Sequence, residues 1–350
     1  MALNVRATFV FASMLLATSA SACLAAGSAS PAPAQPANAV ADVAVNAWWD
    51  RYLDGAQLVA LPDGRKIELY CEGRGAPVVI LDAGLGNGAW RWRKVQVPLA
   101  AKTRVCAFSR AGYGRSSPAP APRDAAARVD DLEAMLRAAR IDGPYVMVGH
   151  SLASFDVRLF AFRHPRQVVG VVLVDPSADD MYDAFETRAP GFKALMDRLY
   201  ADYAVCEADP RPKEAEAKCV DPAPPGTSAR GQAYLAATRS PAAYRAIKAE
   251  MSALQTLDSP ELITARRPLG AIPLIVLTAG KMTETPGLTS EQNAAISQWW
   301  TQSHDEMAAL STAGVNRTVP DTTHGIPDQK PEAVIGAVDE VVDRIRAGSR

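Results

Sequence analysis

The chain has 350 residues, 48% of them hydrophobic, with 37 Lys and Arg against 38 Asp and Glu. That length and apolar content can bury one large core or two small ones. The near balance of charge lacks the basic excess of a nucleic-acid partner, so no nucleic-acid role is expected.

In chain order, the first segment reads as an export signal. Arg6 supplies a short positive start, "ATFVFASMLL" an apolar stretch too short for a comfortable span, and "ATSASACLAAG" the small residues of a cleavage region. A signal peptide is expected over 1–26. Ala20-Ser21-Ala22-Cys23 also resembles a bacterial lipobox, which would place a lipid anchor on Cys23. Ala20 stands where a lipobox prefers Leu, which favours soluble export, periplasmic or secreted. Residues 27–46 are a Pro/Ala/Ser linker that cannot build a core. Folded sequence is expected from Ala47, and no later run is long enough for a membrane span.

Residues 56–73 read as two strands joined by a turn at Pro62-Asp63-Gly64. "PVVILDAG" (77–84) is a continuous apolar run ended by glycine, as in a buried parallel strand. "TRVCAFSRAGYG" (103–114) is another strand running into a glycine-rich loop, and residues 118–122 form a proline-rich loop. Residues 123–141 carry helical periodicity, with Val129, Leu132, Met135 and Leu136 on one side. "YVMVGHS" is a strand stopping at Ser151, followed by a helix to about Pro165. "VVGVVLVDPS" (168–177) and "IPLIVLTAG" (272–280) are buried strands. Helices are expected at 289–310 and from Pro331 to about Ile345, around a short strand at 315–319. The alternation of strands and helices implies an α/β class with a mostly parallel sheet covered on both faces. Residues 178–267 break the rhythm and are long enough for a small helical lid. The core is then 47–177 and 268–350.

The strand–Ser151–helix arrangement has the geometry of a nucleophile elbow, in which small flanking residues let strand and helix approach closely. Gly149 satisfies that need on one side. Ala153 replaces the usual second glycine at the cost of one methyl, and Ser154 is also small. With "LDAGLGNGAW" (81–90), "RVCAFSRAGYGRS" (104–116), "GHSLAS", "VVLVDPS" and "PDTTHGIPDQKPEAV" (320–334), the chain resembles the α/β-hydrolase superfamily, of the serine type with a helical cap after the sixth strand. The resemblance extends from about Gln57 to Arg346. It implies an eight-stranded-type sheet, Ser151 as nucleophile and His324 as general base, in the order Ser, acid, His. Asp175, after the sixth strand, is the favoured acid. Glu284, in the loop after the seventh strand, is the alternative. Leu152 and Leu85 are the expected backbone donors to an oxyanion, with Gly86 second to Leu85.

The other three histidines are less suited to act as the base. His150 is expected to point away from the hydroxyl, His164 to cap or face solvent at a helix end, and His304 to lie exposed on an amphipathic helix. Ser109 stands where relatives commonly carry Asp, a position taken as structural. In that fold the second and fourth strands are neighbours, which implies a Cys71–Cys106 disulfide, with Cys206–Cys219 as a clasp within the lid. Trp299 and Trp300 are expected to pack between helix and sheet. Trp90 and Trp92 are better placed to touch a substrate. The resemblance thus implies an exported serine hydrolase, foremost a carboxylesterase acting on a small-molecule ester, with no cofactor and no metal. Amide, lactone or carbon–carbon bond hydrolysis is the alternative on the same residues, and a non-catalytic small-molecule binder is a second class.

Overall fold

The computed structural model describes residues 47–348, apart from 202, 211, 214–218, 220–222 and 225–226. The expected signal peptide and linker, with Cys23, lie outside the described residues. Helix α1 (residues 47–55) opens the described part. Eight strands follow: β1 (Gln57–Ala60), β2 (Lys66–Glu72), β3 (Val78–Asp82), β4 (Val105–Ser109), β5 (Tyr145–His150), β6 (Val168–Val174), β7 (Leu274–Ala279) and β8 (Gly314–Val319). They form one sheet in the order β1-β2-β4-β3-β5-β6-β7-β8. β2 runs antiparallel to both β1 and β4, and every other pairing is parallel.

The continuous apolar runs are explained by burial on both faces. Along β3, Ile80 faces one apolar cluster while Val79 and Leu81 face the other. Along β5, Met147 and its neighbours Val146 and Val148 divide in the same way. The first face is covered by α3 (Ala125–Ala138), α4 (Ala153–Arg163) and the helix Ser290–Ala308. The second is covered by α1, α2 (Arg93–Ala100) and the helix Pro331–Gly348. A 3-10 turn, Ala89–Trp92, leads into α2, which accommodates Pro98 near its end. Sequence periodicity gave no sign of this element.

Cys71 and Cys106 sit opposite each other in the β2–β4 register and are bonded, as are Cys206 and Cys219. Between β6 and β7 the chain makes a helical insert. It contains α5 (Met181–Arg188), α6 (Phe192–Ala201) and the helices Ala229–Thr238, Pro241–Thr256 and Asp258–Ala265. Buried polar contacts fasten the insert to the sheet domain. Arg128 of α3 pairs with Asp258 at 3.0 Å, and Tyr234 donates to Glu68 of β2 at 2.6 Å. Among the described residues no helix is long and apolar enough to cross a membrane.

Candidate active site

Ser151 is the residue after β5, and its backbone is left-handed, with φ of 56°. A non-glycine residue rarely adopts that conformation without support from its surroundings. The support is visible. Ser151 N–H donates to Val174 O at 3.1 Å, and its carbonyl accepts from Ser154 N–H and Ser177 N–H at 2.9 and 3.1 Å. Gly149 is obligatory in this packing, because a Cβ there would lie 2.8 Å from both Ala153 O and Val157 Cγ2. Ala153 itself is wholly buried at the start of α4. Its methyl fits.

Asp175 follows β6, also at positive φ (41°), and its N–H donates to Leu277 O at 2.7 Å. Its Oδ1 accepts from Ala279 N–H at 2.9 Å and from the Trp300 indole N–H at 3.2 Å. Its Oδ2 accepts from His324 Nδ1 at 2.7 Å. Burial pushes this carboxyl up. The hydrogen bond and charge of His324, the charge of His304 and the Ala279 N–H more than reverse that, and hold it well below the usual carboxylate range. Glu284 lies exposed in the loop after β7. Of the two carboxylates considered from sequence, Asp175 is therefore the one on the His324 ring.

His150 is buried and donates from Nε2 to the backbone carbonyl of His324 at 2.8 Å. The rings lie 4.7 Å apart. Burial, with the charges of His324 and Arg91, holds His150 well below the ordinary histidine range, so the ring is neutral. The histidine loop is also gripped from the opposite side. Arg91 and Arg93, in and just after the 3-10 turn, both pair with Asp328, Arg93 at 2.7 Å, and Lys94 donates to Asp328 O at 3.0 Å.

The loop after β3 lies against the serine: a Cβ on Gly84 would stand 3.0 Å from Ser151 Cβ and from His150 Nδ1. Gly86 N–H is already taken by the Tyr113 hydroxyl at 3.3 Å. The Leu85 and Leu152 N–H groups have no acceptor among the described residues. That leaves these two backbone donors, rather than Gly86, available to an incoming oxygen.

One expectation is corrected. His304 is fully buried rather than exposed: Nε2 donates to Pro176 O at 2.9 Å and Nδ1 lies 2.7 Å from Thr278 Oγ1. It shares its helix face with Trp300 and Met307, and burial depresses its pKa. Trp92 is fully buried and Trp90 nearly so, both within the second apolar cluster. Trp300 does more than pack, since its indole reaches Asp175. His164 pairs with Glu133 at 2.9 Å, at the C-terminal end of α4. Buried Ser109 fills its position structurally, its hydroxyl accepting from Ala89 N–H at 3.1 Å. The roles of Trp300, His304 and Arg91 had no local signal, because each depends on a partner remote in sequence.

Residues 77–206 match a family described as the alpha/beta hydrolase fold. Over 129 residues the chain is 35% identical to "Probable transporter efuK" of Hormonema carpetanum, covering 36% of this chain and 18% of that protein. Over 143 residues it is 29% identical to a (lyso)-N-acylphosphatidylethanolamine lipase of Mus musculus, covering 39% and 42%. The chain thus spans less than half the length of these curated relatives. Its fold is similar to that of a thermophilic esterase from Thermogutta terrifontis, with a TM-score of 0.56 and 21% identity over 83% of this chain and 98% of that one.

Proposed function

We propose that the chain is a serine hydrolase of the alpha/beta hydrolase fold, foremost a carboxylesterase, with Ser151, His324 and Asp175 as its catalytic residues, a reading that the match over 77–206 and the esterase-like fold support. The observation that carries this reading is the 2.7 Å hydrogen bond from His324 Nδ1 to Asp175. It turns Nδ1 toward the carboxylate, so that Nε2 is the nitrogen that serves as general base in this reading. Ser151, on its left-handed turn, is the nucleophile.

In this mechanism Ser151 Oγ attacks the ester carbonyl carbon as His324 Nε2 takes the hydroxyl proton. The carbonyl oxygen becomes an oxyanion, received by the N–H groups of Leu85 and Leu152. Collapse expels the alcohol, which takes the proton from His324. Water, deprotonated by the same nitrogen, then cleaves the acyl-enzyme. Asp175 stays ionised and supports the imidazolium. The insert acts as a lid over 178–267. The resemblance to an esterase and to a lipase supports an ester as substrate. The two disulfides suit an oxidising compartment, in keeping with export.

The test is a fluorophosphonate probe with peptide mapping, beside hydrolysis of p-nitrophenyl esters of graded acyl length. Labelling at Ser151 in the wild type, with labelling and turnover both lost in Ser151→Ala, is the expected result. An unlabelled wild type, or full turnover by Ser151→Ala, overturns the reading.

A further inference from the structure

The Gly84–Leu85 peptide is held from outside the groups assigned to catalysis. Gly84 O accepts from Asn87 N–H at 3.1 Å and from Arg110 Nη2 at 3.2 Å. The C=O and N–H of a trans peptide point in opposite directions. Two donors on Gly84 O therefore set the direction of Leu85 N–H on the far side of the same peptide plane. Arg110 Nη1 also donates to Ala83 O, and pairs with Asp82 at the end of β3 at 2.7 Å.

The guanidinium is in turn fixed by the insert. Glu250, fully buried on the helix Pro241–Thr256, engages it bidentately: Nε to Oε1 at 2.8 Å and Nη2 to Oε2 at 2.9 Å. Tyr113 OH donates to Glu250 Oε2 at 2.8 Å and accepts from Gly86 N–H at 3.3 Å. Ile247, one turn before Glu250, lies over Gly86: a Cβ there would be 3.5 Å from Ile247 Cδ1. One network therefore holds the two carbonyls before Leu85 N–H and the amide after it. It is anchored on a helix of the insert.

We propose that Arg110 and Glu250 are positioning residues for the oxyanion hole, aiming Leu85 N–H toward the carbonyl oxygen on Ser151 and making the hole depend on the insert's helix. The pair touches no reacting atom; it acts through the Gly84 carbonyl. A charged donor on that carbonyl also polarises the peptide and strengthens its N–H as a donor. This inference rests on the serine-hydrolase reading.

The test compares wild type, Glu250→Gln and Arg110→Lys. Gln keeps the size and one acceptor of Glu, whereas Lys keeps the charge and loses the fork. Three quantities are measured: kcat and KM on p-nitrophenyl acetate, Ki for an alkyl trifluoromethyl ketone, and thermal midpoint. The ketone forms a tetrahedral oxyanion on the serine and so reports the hole directly. The expected result is a fall in kcat of roughly tenfold to a hundredfold, less than loss of a whole donor, with KM changed less than about twofold. The ketone's Ki should weaken in step with kcat. Variants that lose thermal stability but keep wild-type kcat and ketone affinity overturn the inference, because a purely structural ion pair predicts that pattern. Should Arg110→Lys fail to fold, Glu250→Gln decides the matter alone. A wild type that the fluorophosphonate does not label at Ser151 brings down the serine-hydrolase reading and this inference together. A labelled wild type with indifferent variants overturns the inference only.

Discussion

Trp300 donates its indole N–H to Oδ1 of Asp175 at 3.2 Å, across 125 residues of chain. With Ala279 N–H on the same oxygen, Oδ2 is left to face His324. The carboxylate is thereby held in one orientation by two neutral donors that do not titrate. The adjacent Trp299 has a different role. Its ring meets Phe185 of α5 edge-on at 5.4 Å, linking this helix to the insert.

Trp300→Phe keeps the apolar body and removes the donor. We expect kcat/KM on p-nitrophenyl esters to fall about threefold to tenfold and stability to fall by about 1.5–3 kcal/mol, the usual range for a hydrogen bond to a charged acceptor. Steady-state kinetics and urea midpoints measure both. Unchanged kinetics would mean that Ala279 and His324 orient Asp175 unaided.

Asp175→Asn retains the shape of the side chain but favours the wrong tautomer of His324, so activity should drop by about 10⁴. A pH dependence accompanies it. The carboxyl is held below its unfolded value of about 3.9, so its ionisation stabilises the fold above that pH. That stabilisation is lost as pH falls below about 4 toward the folded value. Denaturant midpoints of wild type and variant should therefore differ most above about pH 4 and converge below it. A gap that stays constant through the acid range contradicts this.

At the elbow, the two flanking small residues are not equivalent. Gly149→Ala forces a methyl to within 2.8 Å of Ala153 O and Val157 Cγ2, and should cost about 1–3 kcal/mol with a displaced serine and reduced turnover. Ala153→Gly removes a methyl from the first turn of α4 and should cost no more than about 1 kcal/mol, with activity retained. Paired urea unfolding and ester kinetics separate the two.

The disulfides close loops of different length, with sequence separations of 35 for Cys71–Cys106 and 13 for Cys206–Cys219. Chain-entropy arguments assign about 4 and about 3 kcal/mol to them. Replacing Cys206 and Cys219 together by Ser should loosen the insert while leaving fluorophosphonate labelling of Ser151 intact. A non-reduced digest analysed by mass spectrometry checks the pairing itself.

Much of the fold was legible because a strand buried on both faces is apolar along nearly its whole length, as β3, β4 and β5 are up to their polar last residues, Asp82, Ser109 and His150. α2 escaped notice because Arg, Lys and Pro98 interrupt its short apolar pattern. His304 was misread for a related reason. A histidine reads as polar in a periodicity count, yet this one has both ring nitrogens matched inside the core by Pro176 O and Thr278 Oγ1.

Sequence alone determined the strand–serine–helix turn, the late histidine and their order along the chain, because these follow from local patterning and from residue types that are rare here, His above all. It left two carboxylates open, Asp175 and Glu284, at the ends of successive strands. Only the tertiary structure decided which one meets His324. A hydrogen bond requires atoms within about 3 Å, and that distance depends on how the sheet twists and where the loops settle. The same holds for Arg110 and Glu250: 140 residues apart in the chain, they are brought onto one loop by the docking of the insert's helix.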